Sequence, residues 1–299
     1  MSVYKGMTKR MLNLNHGLDP NGNPHSKFVQ TAIERHTVFK ESEKKPHPYR
    51  WIAVTSQNFA KSFNAFSEAT SDPIRIKQKE NNDEIVALLA DLSYRSAELF
   101  EFFDKIVHAI PLRNSKEARE KKNNYRSAVN KASDDWVILC NSLKHNANTL
   151  ANVEFFYPKE NHIIKGFRLL QPARGSEVQV NKDYHKKGER ERSYIVALHQ
   201  LVFAVMKCEH LAAELLTWTY GDNDAADYSH DLKYEIGNSL KKLANQRIFA
   251  FPEQPTMFNG FVLRDETMTL CRMQAIRINA DADVTVRFKT DGFTKTYPI

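Results

Sequence analysis

Cysteine is scarce in this chain. The 299 residues include three, Cys140, Cys208 and Cys271, far apart and never in CxxC spacing. That excludes a disulfide framework and a cysteine zinc site, and it fits a reducing, intracellular setting. Long apolar runs are also missing, and no stretch approaches the ~20 residues that a membrane-spanning helix needs. The opening MSVYKGMTKRMLNLNH has charge but no apolar core, so no signal peptide is expected. The expected compartment is the cytoplasm, with no membrane partner. The chain has no GxxxxGK[ST], GxGxxG, HExxH or GxSxG, which removes the usual phosphate cradles, zinc-protease helices and hydrolase elbows. There is no internal repeat and no low-complexity segment. Charge of neither sign dominates: 43 Lys plus Arg stand against 36 Asp plus Glu, net +7. That excess permits an acidic partner such as RNA without demanding one.

What is present is helical periodicity. Apolar residues recur at three-and-four steps over Ser26–Lys44, Trp51–Thr70, Glu84–Ile110, a long stretch from Ser115 to Leu150, Ser193–Tyr220 and Ala225–Asn245. Asn114 or Ser115 can cap the long helix, and Gly221 is a natural C-terminal cap. Between Leu150 and Ser193 the period changes. VEFFY, IIKGFRLLQ and EVQV read as short strands separated by Pro and Gly. Beyond Arg247 the pattern is again extended, and Thr290-Asp291-Gly292 is a hairpin signal. The expected fold is therefore mainly α: an antiparallel helical bundle with a small β insert and a C-terminal β segment. The expected organisation is an N-terminal loop and helical segment over 1–81, a bundle over 82–246 with its β insert at about 152–184, and a β segment over 247–299.

Metal-binding patterns are weak. Asp19, Asn21 and Asn23 match the opening of a calcium loop, but Pro24 stands where Gly is needed and Gln30 where Glu is needed. These residues are read as a turn. His16 and His25 flank it without further ligands. His210 and Glu214 form an i, i+4 pair that a surface hydrogen bond explains. No metal and no cofactor is expected.

The stretch Asp134–Leu150, DDWVILCNSLKHNANTL, is the one local pattern that reads as chemistry. Trp136, Leu139, Cys140, Leu143, Ala147 and Leu150 fall on one helical stripe. Asn141, Lys144 and His145 fall elsewhere, with Val137 and Ile138 on the same side. A polar cluster over apolar residues points to a covered site, against another element or a second subunit. Asn141 and His145 are an i, i+4 pair whose side chains can meet.

Cys140-Asn141-Ser142-Leu143-Lys144-His145 resembles the motif of the HEPN family, small α-helical domains found among RNA-cleaving toxins and antiviral nucleases. The family pattern is Arg, a polar residue, three variable residues and His. Here Asn141 and His145 fill the polar and His slots, and Cys140 stands in the Arg slot. The resemblance covers roughly 82–220. It implies a homodimer in which His145 exchanges a proton with a ribose 2′-hydroxyl without metal, and Asn141 orients it. Lys144 is the nearest cation for the phosphate charge. Separately, the basic stretch with Arg113, Lys116, Arg119, Lys121, Lys122 and Arg126 and the loop with Lys182, Lys186, Lys187, Arg190 and Arg192 read as a solvated face or, if they face one groove, as phosphate contacts to RNA. Cys140 itself reads as a small buried hydrophobe.

Two functional classes stay open. One is a HEPN-like RNA-directed module, either a metal-independent ribonuclease or an RNA binder. The other is a non-catalytic helical interaction subunit of a larger intracellular assembly.

Overall fold

The computed structural model describes residues 14–32, 47–71, 81–110, 115–145, 148–157, 162–173, 177–185, 189–221, 234–277, 286–290 and 293–297. Its helices are α1 (Lys27–Ala32), α2 (Pro48–Ser71), α3 (Asn81–Lys105), α4 (Lys116–His145), α5 (Tyr194–Tyr220) and α6 (Gly237–Ala244). The strands are β1 (Leu14–Gly17), β2 (Thr149–Tyr157), β3 (His162–Pro172), β4 (Val178–Val180), β5 (Arg192–Ser193), β6 (Phe249–Ala250), β7 (Met257–Arg264), β8 (Thr267–Gln274), β9 (Ile276–Arg277), β10 (Val286–Thr290) and β11 (Phe293–Tyr297). The distal parts of the expected first helix, beyond Ala32, and of the last, before Tyr234, lie outside the described residues.

Helices α2 to α5 run antiparallel in sequence order. Trp51 meets Phe102 edge-on at 5.4 Å while Ser62 bonds Asp91, so α2 and α3 oppose. The Tyr125 hydroxyl donates to the Phe103 carbonyl at 2.6 Å, and the Lys144 ammonium lies 5.1 Å from the Tyr94 ring, so α3 and α4 oppose. Lys121 lies 5.9 Å from the Trp218 ring and Arg192 pairs with Asp135 at 3.1 Å, which opposes α4 and α5. The Ser115 hydroxyl caps α4 by accepting the Ala118 amide at 3.1 Å. Helix α4 is shorter than its stripe implied. It stops at His145, and Leu150 belongs to β2, where Val153 and Phe155 carry the buried positions at period two. Gly221, with φ 83°, ends α5 by donating its amide to the Thr217 carbonyl at 2.7 Å.

Helix α5 is apolar almost all round. By length and composition it is long and apolar enough to cross a membrane, contrary to the expectation that no such run exists. In the structure 78% of that apolar window is buried inside the protein. A helix covered on most sides by helices and sheets keeps only a narrow polar stripe, here Lys207, His210, Glu214 and Trp218.

The expectation of a mainly helical fold is corrected: helix and sheet share the architecture. The largest sheet has six strands, in order β11-β10-β2-β3-β4 with β5 also on β3. Strand β10 pairs antiparallel with β2, Val286 opposite Phe155. Strands β1, β8 and β7 form a second sheet in the order β1-β8-β7, joining Leu14 to Leu270. Strands β6 and β9 pair in parallel. The sheets are built from strands far apart in the chain, so the β insert and the β tail are parts of shared sheets. Period-two patterning marks a strand but says nothing about its partner, and that is why the sequence undercounted the sheet. Gly166 lets β5 approach: a Cβ there would stand 2.2 Å from the Arg192 carbonyl oxygen. One apolar core draws on Phe28 and Phe63, on Leu89, Trp136 and Leu201, and on Phe261 and Leu270, from the N-terminal, middle and C-terminal stretches alike.

Candidate functional site

At the end of α4, Asn141, Lys144 and His145 are exposed, while Cys140 is 1% exposed and packed inward. Asn141 and His145 lie one turn apart on the outer face. Among the described residues no hydrogen bond joins them, and no side chain orients His145. Among the described residues none supplies the expected cover. Val137 and Ile138 are half-buried because they pack on the apolar core. Lys144 spans the two sides. Its ammonium stacks over Tyr94, and it reaches the Cys140 thiol, whose pKa burial pushes up. Burial outweighs the Lys144 contact, and a thiol whose pKa is raised by burial is packing and not a nucleophile.

The basic residues are dispersed. Lys116 and Arg119 are exposed, and Lys121 and Lys122 half-exposed, all near the start of α4. Arg126 forms a fork with Asp104 at 2.9 and 2.9 Å. Arg113, Lys186 and Lys187 lie outside the described residues. Lys182 is exposed, and Arg190 pairs with Glu253 at 3.3 Å. Arg192 is not a surface cation. It is buried, stacks at 4.6 Å over Tyr184, and donates to Glu189 and Asp135 at 3.1 Å each. It joins β5 to α4, and the two carboxylates offset the cost of burying a guanidinium. From Lys121 to His145, α4 extends about 35 Å at 1.5 Å per residue. The basic stretch and the histidine therefore lie at opposite ends of α4.

Sequence reasoning passed over the buried polar residues. Glu209 on α5 is wholly buried. It accepts Ser26 Oγ at 2.8 Å, the Phe28 amide at 3.0 Å and the Tyr234 hydroxyl. Ser26 in turn caps α1 by accepting the Val29 amide at 3.1 Å. Burial raises the Glu209 pKa, and the three donors pull it back. One signal was legible: Glu209 follows Val205 by four residues on an apolar stripe, where a carboxylate needs partners. Its partners, at 26–28 and 234, were not.

His16, His185 and His199 are buried and neutral. Burial lowers their pKa values to about 3, about 3 and about 4. His185 Nε2 accepts the Leu169 amide at 2.9 Å. His16 has Lys27 beside it, a poor setting for a metal ion. Asp19 accepts the Asn23 amide at 2.8 Å, so the calcium-like stretch is a side-chain-closed turn. His210 Nε2 lies 3.3 Å from Glu214 Oε1. Among the described residues no group of three or more His, Cys, Asp or Glu side chains is placed to hold a metal ion.

No protein-family model, curated protein or solved structure matches this chain.

Proposed function

We propose that the chain works by binding, as a non-catalytic interaction subunit of a larger assembly. The observation that carries this is the split at the end of α4. Cys140, in the slot where the HEPN motif has its arginine, faces the core, while Asn141 and His145 face outward with no orienting partner among the described residues. Among the described residues, transition-state charge on a phosphate at this helix end would meet Lys144, which is engaged with Tyr94 and Cys140. The test is incubation of purified protein with labelled RNA in EDTA, beside His145→Ala. The expected result is intact RNA in both. Cleavage by the native chain that His145→Ala abolishes would overturn the proposal.

A second reading, a HEPN-like RNA-directed module, is supported by the exposure of Asn141, Lys144 and His145 together. It requires a homodimer that pairs the two α4 ends. An exposed His145→Cys variant that crosslinks across a dimer under oxidation would favour it, and a monomer at micromolar concentration would dismiss it.

A further inference from the structure

The outer stripe of α5 reads differently from its buried one. Lys207, His210, Glu214 and Trp218 follow each other at three-and-four steps on the side away from the core, and all four keep solvent access. Helix α4 lies antiparallel beside them and adds a lysine at each end of the stripe. At one end the Lys121 ammonium stands 5.9 Å from the Trp218 ring, which is 38% exposed. At the other end the Lys207 ammonium is held 5.9 Å from the Phe203 ring, and the exposed Lys131 of α4 adds positive charge on that side. The Lys207 pKa is lowered, first by burial and then by Lys131. Among the described residues no carboxylate pairs with either lysine. The two lysine stations are ten residues apart on α4, about 15 Å.

We infer that the α4–α5 seam is a binding track for single-stranded nucleic acid, with Trp218 as a stacking platform for a base and Lys121, Lys131 and Lys207 as phosphate contacts. An exposed tryptophan beside lysines favours a polymer with flat π-faces and regularly spaced charge over an acidic peptide. Glu214 is the one carboxylate on the stripe. His210 donates to it and Lys121 lies close by, so its charge is largely compensated. The inference rests on the proposal that the chain acts by binding, and it names the partner.

The test uses a fluorescein-labelled uridine oligonucleotide of about 12 nucleotides in EDTA, with anisotropy read against salt concentration. The native chain should bind at low salt, and each phosphate contact should contribute about 0.7 to the slope of log affinity against log salt. Trp218→Ala should weaken binding about ten-fold, and Trp218→Phe should restore most of it. Lys131→Glu, on an exposed site that cannot disturb the core, should abolish binding at moderate salt. Lys61→Ala, on the exposed side of α2, is the control and should leave it unchanged. No binding at low salt overturns the inference. So does affinity indifferent to both Trp218→Ala and Lys131→Glu, or heparin competing as well for Trp218→Ala as for the native chain. Preference for an acidic peptide over the oligonucleotide would assign the seam to a protein partner and also overturn it. None of these failures touches the absence of cleavage, which is scored on intact RNA.

Discussion

Lys207 and Glu209 stand two residues apart on α5 and have opposite fates. Glu209 is enclosed and holds three donors from segments far away in the chain, at 26, 28 and 234. Lys207 reaches the surface, where its ammonium lies 5.9 Å from the Phe203 ring. The same helix thus carries a polar residue that stabilises the fold and one that is free to meet a partner. Helix α4 repeats the division between the buried Cys140 and the exposed Asn141 and His145. Residue type alone does not separate structure from function here. Phase on the helix does, because one step of about 100° decides whether a charge is solvated or must be partnered.

The sharpest way to break this division is Glu209→Ala. It leaves Ser26 Oγ, the Phe28 amide and the Tyr234 hydroxyl without an acceptor in the interior. Denaturant unfolding should show a loss of about 3–5 kcal/mol, the range for one partner removed from a buried charged network. A native-like midpoint would mean that the clasp is not structural.

The buried histidines set the next scale. Their folded pKa values, about 3 for His16, about 3 for His185 and about 4 for His199, lie below the ordinary 6.5. Each therefore contributes stability that is complete above about pH 6.5 and is lost as pH falls through the window towards the folded value. At pH 5 the loss is on the order of 1–2 kcal/mol per group. Glu209, with its raised pKa, acts in the opposite sense, gaining stability on protonation. The thermal midpoint should fall steadily from pH 6.5 to pH 4, and a flat profile would show that the histidines are solvated.

Smaller effects belong to α4. Cys140→Ala should cost about 1 kcal/mol, the lower end for a small buried side chain. In the native protein Cys140 should label slowly with a thiol reagent. His145→Ala should change stability by less than about 0.5 kcal/mol, as exposed substitutions do. A large loss there would place His145 in the packing and reverse the contrast with Glu209.

Local periodicity carried much of the architecture. The helical stripes marked α2, α3, α4 and α5 to within a few residues at most ends. Ser115 and Gly221 appeared as caps because capping is settled within one turn of chain. The Thr290–Phe293 hairpin was legible for the same reason. Within the candidate site, helical phase alone put Cys140 inward and Asn141, Lys144 and His145 elsewhere. That no other element of the described chain covers those three, and that the basic stretch lies at the far end of α4, depended on where α4 ends and what packs on it.

Only tertiary structure decided the rest. Strand β1 finds β8, and β10 finds β2, across more than a hundred residues of chain. Glu209 finds Ser26 and Tyr234, Arg192 finds Asp135, and Lys131 is brought to the same side as Lys207. A sequence determines which faces are apolar, because side-chain period follows from backbone geometry. Which distant face buries which depends on loop closure and on packing the whole core at once, and no window of the chain contains that information.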